Sequence, residues 1–545
     1  MPERVRFTID GRPAEADAGT SLLAALWNAG RLAVRSSVGG EARGPLCGMG
    51  VCFECRVTID GDPHRRACLE TVREGADVRL PFGGGRPETA ALPGLAGRRL
   101  TETSDGGPRD PSAPLGTETP RGVAVVGGGP AGIAAAVHAA EAGARTLLLD
   151  EQMRPGGQVW RGELPRVARA WLERLGRSGA RVVGGATVVD GPAPGTLLVV
   201  QGERAMRVGF ERLVLATGAR ELFLPFPGWT LPGVVGAGGA QALLKAGAHF
   251  VGRRVVVAGS GPLLLAVAAA LRRAGARVVG VAEQATPARL AAFGASLWSA
   301  PGKVAEALRY AGILAGVPYR AGAWVREAMG DRAVERVRVA DGRREWTWTC
   351  DVLACGFGLV PNLELARLVG CATTTSAVVV DDRQRTSVDG VFAAGELVGI
   401  GGVGQALVTG AIAGLAAAGR PVPGHLAAGR AGEAAFAARL ARAFAPRVEV
   451  LSLARPDTLV CRCEDVAFGR VGGAGSAREA KLLTRAGMGA CQGRVCGTAL
   501  ALLRGFDSAT VRPPLVPVPV SVLRAEDALF TSPAAEAGGP GPRIA

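Results

Sequence analysis

Eight of the eleven cysteines fall into two groups of four, one towards each end of the chain. Cys47, Cys52, Cys55 and Cys68 follow the spacing C-x4-C-x2-C-x12-C, and Cys461, Cys463, Cys491 and Cys496 follow C-x-C-x27-C-x4-C. Four thiolates per group form a ligand set for an iron–sulfur cluster. The remaining three, Cys350, Cys355 and Cys371, are left over, and the first two sit in or beside an apolar stretch as core residues do.

At 545 residues the chain is long enough for several domains, and 48% hydrophobic residues supply their cores. The longest apolar runs, such as Pro262 to Leu271, are too short to span a bilayer. The first residues, Met-Pro-Glu-Arg-Val-Arg-Phe, lack the apolar stretch of a signal peptide, so the chain reads as cytoplasmic, where clustered cysteines favour metal over disulfides. The net charge of +15 does not point to nucleic acid. Only three of the 63 basic residues are Lys, the Arg are scattered, and no basic run is interleaved with aromatics.

Residues 1–82 read as one module: a strand from Val5 to Ile9, a turn at Asp10-Gly11, a helix started by Thr20 or Ser21 and stopped near Gly30, the cysteine loop, and a strand from Arg56 to Ile59. Residues 83–120 are rich in Gly, Pro, Thr and Asp without hydrophobic periodicity, which predicts a flexible linker. From Arg121 a strand, glycine turn, helix and strand follow in order, and the pattern recurs from Arg253. Two such units predict a dinucleotide-binding domain over 121–250 and 356–423, with a second over 251–355 inserted in it. A helical connector (424–454), the second tetrad (455–505) and an extended tail (506–545) complete the order.

The first unit carries the dinucleotide fingerprint. The strand Val123 to Val126 runs into Gly127-Gly128-Gly129-Pro130-Ala131-Gly132, and the second strand ends at Asp150, 23 residues after Gly127. Gly127 allows the tight turn, Gly129 lets a pyrophosphate approach the backbone, and Gly132 lets helix and strand pack closely. Asp150 stands where a carboxylate bonds ribose hydroxyls. Three further motifs agree: Pro155-Gly156-Gly157-Gln158, the segment Leu215 to Arg220 with Thr217 and Gly218, and Val391 to Glu396 with Gly395. Together they resemble the flavoprotein reductases with two dinucleotide-binding domains. That resemblance implies bound FAD, with Glu396 where the family usually has an Asp meeting the ribityl chain.

The second unit reads Gly259-Ser260-Gly261-Pro262-Leu263-Leu264, which places Leu264 at the third glycine position. Counting from the first unit aligns its acidic position with Ala282, and Glu283 next door is expected on the other strand face. Both features weigh against an NAD(P) site, leaving open a lost ligand or another adenine nucleotide. No C-x2-C pair lies in the central region, which argues against a disulfide reductase.

The N-terminal tetrad and its Gly-rich loop resemble plant-type 2Fe–2S ferredoxins, whose fold is the β-grasp. The C-terminal tetrad resembles the bacterioferritin-associated ferredoxin type, with Cys491-Gln-Gly-Arg-Val-Cys496 departing from its usual C-x2-C. Zinc remains an alternative, more so for the C-terminal group. The order ferredoxin, linker, nested two-domain flavoprotein and small four-cysteine domain makes a multidomain α/β chain. It resembles the electron-transfer subunits of heteromeric amino- and imino-acid dehydrogenases, including D-hydroxyproline dehydrogenase, opine oxidase, dye-linked L-proline dehydrogenase and hydrogen cyanide synthase. The resemblance implies FAD, two 2Fe–2S clusters and a hetero-oligomer with a flavoprotein partner of D-amino-acid-oxidase-like fold. Two one-electron centres bracketing a flavin in sequence suggest an electron conduit. Four histidines and two tyrosines form no cluster resembling an amino-acid pocket with a general base. The competing readings are a self-sufficient NAD(P)H-dependent reductase and a metal-binding scaffold without flavin.

Overall fold

The structure is a computed structural model that describes residues 3–81, 117–118, 122–162, 164–202, 204–507, 511–520 and 522. The predicted linker lies outside the described residues except for Thr117–Glu118, a short strand on the edge of a sheet, and so does most of the predicted tail.

The N-terminal module is a five-stranded sheet in the order Arg12–Asp17, Arg4–Ile9, Asp77–Arg79, Arg56–Ile59, Asp62–Arg66. Asp10 and Gly11 turn its first hairpin, both at positive φ (52° and 74°). The helix Leu22–Asn28 starts where the Ser21 hydroxyl accepts the Ala24 N–H at 3.2 Å, and Gly30 (φ 77°) stops it. That helix buries Leu22, Leu23, Leu26 and Trp27, and they do not pack within the module alone. Trp27 stacks tilted on Phe250 with centroids 5.3 Å apart, and its Nε1–H donates to the His249 carbonyl. One apolar cluster runs from Phe7 and Ile9 through Trp27 into Val255, Val257 and Leu271, so the module shares a core with the second dinucleotide unit.

The first dinucleotide sheet is parallel, in the order Arg181–Gly184, Thr146–Asp150, Val123–Val126, Arg212–Leu215, Val391–Ala393. Val123–Val126 is buried throughout, as a continuous apolar run in a parallel sheet must be. Helices Pro130–Glu141 and Val403–Ala417 lie against each other at backbone distance. A Cβ on Gly410 or Gly414 would come within 2.2 Å of the Ala131 or Ala135 carbonyl oxygen.

The second sheet is also parallel, in the order Val234–Val235, Val352–Gly356, Arg254–Gly259, Arg277–Glu283, Tyr319–Ala321. It begins earlier than the sequence indicates. Val234–Val235 and the helix Ala237–Lys245 belong to it, not to the first fold. The strands Ala219–Glu221 and Leu359–Pro361 pair antiparallel where the chain passes between the two folds, so the insertion runs from about Glu221 to about Leu359, not from 251 to 355. A two-residue strand and a Gly/Ala helix without a side-chain cap leave no periodicity to read.

The helix Gly424–Phe444 leads to the C-terminal cysteine domain, a small hairpin (Leu459–Cys461 with Val466–Ala467) and the helices Ala477–Thr484 and Cys496–Arg504. Among the described residues no helix is long and apolar enough to cross a membrane.

Candidate redox site

The glycine turn of the first unit has the geometry its sequence requires. Gly127 takes φ 105°, and a Cβ on Gly132 would stand 1.7 Å from the Gly127 carbonyl oxygen, so only glycine lets that helix approach. Gly129 is different: its missing Cβ faces open space, with the Cα of Gly157 4.0 Å off as the nearest atom. Gly157 (φ 58°) comes from Pro155-Gly-Gly-Gln158, and a Cβ there would stand 2.9 Å from the Gly129 Cα, so the two glycine loops pack directly against each other. Asp150, 7% exposed, accepts the Gln152 N–H through Oδ1. Burial raises its carboxyl to about 6. Glu396 accepts the Gly402 N–H, Gly395 donates its N–H to Thr409, and Thr217 and Asn362 exchange two hydrogen bonds. Gly218 beside them takes φ 67°.

Three buried oxygens of the motif residues lack a partner: Asp150 Oδ2, Gln158 Oε1 and Glu396 Oε2. Leaving such groups unpaired costs on the order of 1–3 kcal/mol each, and all three belong to residues that the sequence assigns to a dinucleotide. These residues therefore fit a ligand rich in hydroxyl donors, as FAD is.

All eight tetrad cysteines are buried and unbridged. In the first loop the Sγ atoms of Cys47 and Cys52 are 3.1 Å apart, and the Met49 and Cys52 N–H groups point at Cys47 Sγ. The Cys52 thiol contact holds Cys47 down to about 6, while the contact with Cys55 and burial push Cys68 up. In the second loop Cys463 and Cys491 are 3.5 Å apart. There the thiols of Cys461 and Cys491 lower Cys463, and Cys461, touching both Cys463 and Cys496, is raised. Cys47 with Cys52, and Cys463 with Cys491, are thus thiol pairs in close contact, and a bound metal would displace their protons. Among the described residues no three such side chains are gathered for a single metal ion.

The tetrads bracket the flavin-type fold in sequence, but in space they stand side by side. Glu54, between Cys52 and Cys55, pairs with Arg462, between Cys461 and Cys463 (Nε to Oε1, 3.2 Å), and with Arg35 (2.8 Å). Arg43 pairs with Asp465 at 2.8 Å. Both loops also reach the first fold. Arg161, just beyond Gln158, donates to the Gly48 carbonyl and to Gln152. Arg220, after the Thr217-Gly218 turn, donates to the Arg494 carbonyl between Cys491 and Cys496. Glu221 is buried beside the first cysteine loop, accepts the Gly238 and Gly239 N–H groups, and is raised to about 8 by burial. Sequence reasoning passed over Glu54, Arg462, Arg161 and Arg220. The signal was present in the first two, each a charged residue lodged among buried tetrad cysteines.

The second glycine loop differs from expectation. Leu149 pairs with Val126, which sets Asp150 level with Gly127, and Glu283 pairs with Gly259. A bulge between Val255 and Val256 adds one residue to the partner strand, so the acidic position is Glu283 and not Ala282. Its carboxylate accepts the Gly261 and Ala285 N–H groups. Leu264, 2% exposed, is absorbed into the apolar core. The end of the connector covers the loop: Ser260 donates to the Phe444 carbonyl, Gln284 reaches the Phe444 and Ala445 carbonyls, and the Arg447 N–H donates back to Gln284.

Residues 121–414 match the family described as pyridine nucleotide-disulphide oxidoreductase, and residues 2–81 match the 2Fe-2S iron-sulfur cluster binding domain. The chain belongs to the first of these families. It is a flavin-type oxidoreductase with an N-terminal 2Fe–2S domain. Within the family it is 34% identical to hydrogen cyanide synthase subunit HcnB of Pseudomonas aeruginosa, over 73% of this chain and 97% of that one. It is 33% identical to one of the subunits of opine oxidase from Rhizobium meliloti, over 72% of this chain and 96% of that one. A further 70 residues, 13% of this chain, are 44% identical to 67% of hydrogen cyanide synthase subunit HcnA of P. aeruginosa. The L-proline dehydrogenase from P. horikoshii has the same fold, with a TM-score of 0.66 at 21% identity over 96% of this chain and 98% of that chain. HcnB, HcnA and the opine oxidase chain are all subunits, so the chain's homologues act in assemblies of more than one kind of chain.

Proposed function

We propose that this chain is a FAD- and iron–sulfur-containing subunit that carries electrons from amino- or imino-acid oxidation to an external acceptor. The C–N bond would be oxidised in a partner flavoprotein with a D-amino-acid-oxidase-like fold. The observation that carries this reading is the convergence of both cysteine loops on the flavin-type fold through Arg161 and Arg220. The matches to HcnB and HcnA support a fusion of two subunits in one polypeptide. The name of the related opine oxidase subunit supports the substrate class.

In this reading Gly127, Gly129 and Gly132 admit the pyrophosphate, Asp150 accepts ribose hydroxyls, and Gly157, Gln158, Thr217, Gly218, Gly395 and Glu396 line the rest of the FAD. The eight cysteines hold two 2Fe–2S clusters, and the N–H groups on Cys47 Sγ stabilise its thiolate. FAD supplies the exchange between two-electron and one-electron chemistry. The chain's own residues bind it, exclude water from it, and hold the cysteine loops beside it. The isolated chain, given D- and L-amino acids and an electron-accepting dye, should show no turnover. Reduced by dithionite and freed of excess reductant, it should pass its electrons to the same dye. Amino-acid turnover by the chain alone would refute the two-chain reading.

One observation favours the self-sufficient NAD(P)H reductase: Glu283 stands at the acidic position after all. Against it, both Glu283 oxygens are engaged by backbone N–H groups, those of Gly261 and Ala285, and the carbonyls of Phe444 and Ala445 face the place an anionic pyrophosphate would need.

A further inference from the structure

The two cysteine loops are joined by a buried ionic bridge that neither cluster needs for its ligands. Glu54 and the Arg462 side chain are each 1% exposed, and Arg35 is 4% exposed. Arg462 also donates to the Trp229 carbonyl at 2.8 Å and to the Gly44 carbonyl at 3.4 Å, while its guanidinium lies 5.1 Å from the Trp229 ring centroid. Arg35 donates to the Arg462 carbonyl at 3.2 Å. Each carboxylate oxygen of Glu54 has a cation: Oε1 takes Arg462 from the second cysteine loop, and Oε2 takes Arg35 from its own module, whose guanidinium also reaches the Arg462 carbonyl.

A buried ion pair is a poor way to gain stability. Desolvation takes back most of the attraction, and apolar packing of the same volume often does as well. Its best-attested use is to fix one register among many. Here the register fixed is that of two metal-binding loops. Glu54 is the immediate neighbour of Cys55, and Arg462 is the immediate neighbour of both Cys461 and Cys463. Only two side chains and one hydrogen bond of 3.2 Å therefore separate the ligands of one tetrad from those of the other.

We infer that the Glu54–Arg462–Arg35 bridge holds the two clusters in direct electronic contact, so that an electron passes between them without returning to the flavin. The three are positioning residues, and the inference rests on the two-cluster reading proposed above. The step moves one electron: one cluster's iron pair is oxidised by one unit and the other's is reduced by one, no bond breaks and no proton is transferred. The arrangement gives a two-electron flavin two one-electron acceptors that share their load, and it lets either tetrad serve as the exit.

The test uses the full chain purified anaerobically, with iron, sulfide and flavin counted and electron paramagnetic resonance as the readout. In the fully dithionite-reduced protein the two cluster signals should be split and broadened by each other. With less than one electron per chain, delivered by photoreduced deazaflavin and freeze-quenched, the distribution between clusters should be at equilibrium in the first sample. Glu54→Gln should lose part of the splitting and reach that distribution later. Two full clusters with simple additive signals, or electrons that stay where they first land, would overturn the inference. If Glu54→Gln does not fold, the unaltered protein alone decides through its splitting and its first freeze-quenched sample. Iron for a single cluster would be a separate failure, sinking the two-cluster reading and the bridge's role with it.

Discussion

Asp150→Asn should stabilise the flavin-free protein and weaken its hold on FAD, two effects of opposite sign from one atom. The Asp150 carboxyl is 7% exposed, and burial raises it from 3.8 to about 6. A shift of about two units corresponds to about 3 kcal/mol spent on keeping the group ionised at pH 8 in the folded chain. The sign follows from proton counting. Between about pH 4 and 6 the folded chain holds a proton the unfolded chain has lost, so its stability falls as pH rises through that window and stays reduced above it. Asn keeps an oxygen for the Gln152 N–H and carries no charge, so the variant escapes this loss. Unfolding of the flavin-stripped proteins in urea should show the variant ahead by up to about 3 kcal/mol at pH 8, with the gap closing towards pH 4. Quenching of FAD fluorescence should show the opposite order. Losing a hydrogen bond from a ribose hydroxyl to a charged acceptor costs about 1.5–3 kcal/mol, roughly a 10- to 100-fold weaker affinity. A variant that is less stable without flavin at pH 8, or that binds FAD as tightly as the original, would refute this assignment of Asp150.

Gly132→Ala should abolish flavin binding, because its Cβ would meet the Gly127 carbonyl oxygen at 1.7 Å and the helix must retreat; the absorbance of the purified protein reads this directly. Arg462→Met leaves Glu54 with Arg35 alone in a dry site, and thermal unfolding should report a loss on the order of 3–5 kcal/mol. Cys463→Ser should remove one cluster's worth of iron and leave the N-terminal cluster's spectrum in place, which chemical iron analysis and circular dichroism in the visible would show. Leu264→Gly should not create an NADH-reducible protein, since the Phe444 and Ala445 carbonyls still cover the second loop.

The first dinucleotide fold was legible because its signals are local. An apolar strand, three glycines at fixed spacing and an acid at the next strand end all act within about thirty residues, and the strand Val123–Val126 and Asp150 stand where the pattern puts them. The second acid was misread for an equally local reason: a single bulge shifts the register by one, and no sequence count can see it. The insertion boundary failed because Val234–Val235 takes its identity from pairing with Val352–Gly356, more than a hundred residues away. The largest departure concerns the tetrads. Their membership could be counted, but the sequence offers only their order along the chain, and order suggested a flavin standing between them. What brings them together is tertiary: one apolar core takes in residues of both cysteine loops, and the Glu54–Arg462 pair spans them, with no periodicity to announce either. Charged residues set between the tetrad cysteines were the one available hint.

In the proposed function electrons enter this chain from a protein partner and not from a nicotinamide nucleotide. The most direct test adds NADH and then NADPH to the anaerobic, metal-replete chain while the flavin and cluster absorbance bands are followed. The covered second loop predicts no bleaching with either nucleotide, and complete bleaching when dithionite follows. Rapid bleaching by NADH or NADPH would contradict it and would make this chain a reductase in its own right.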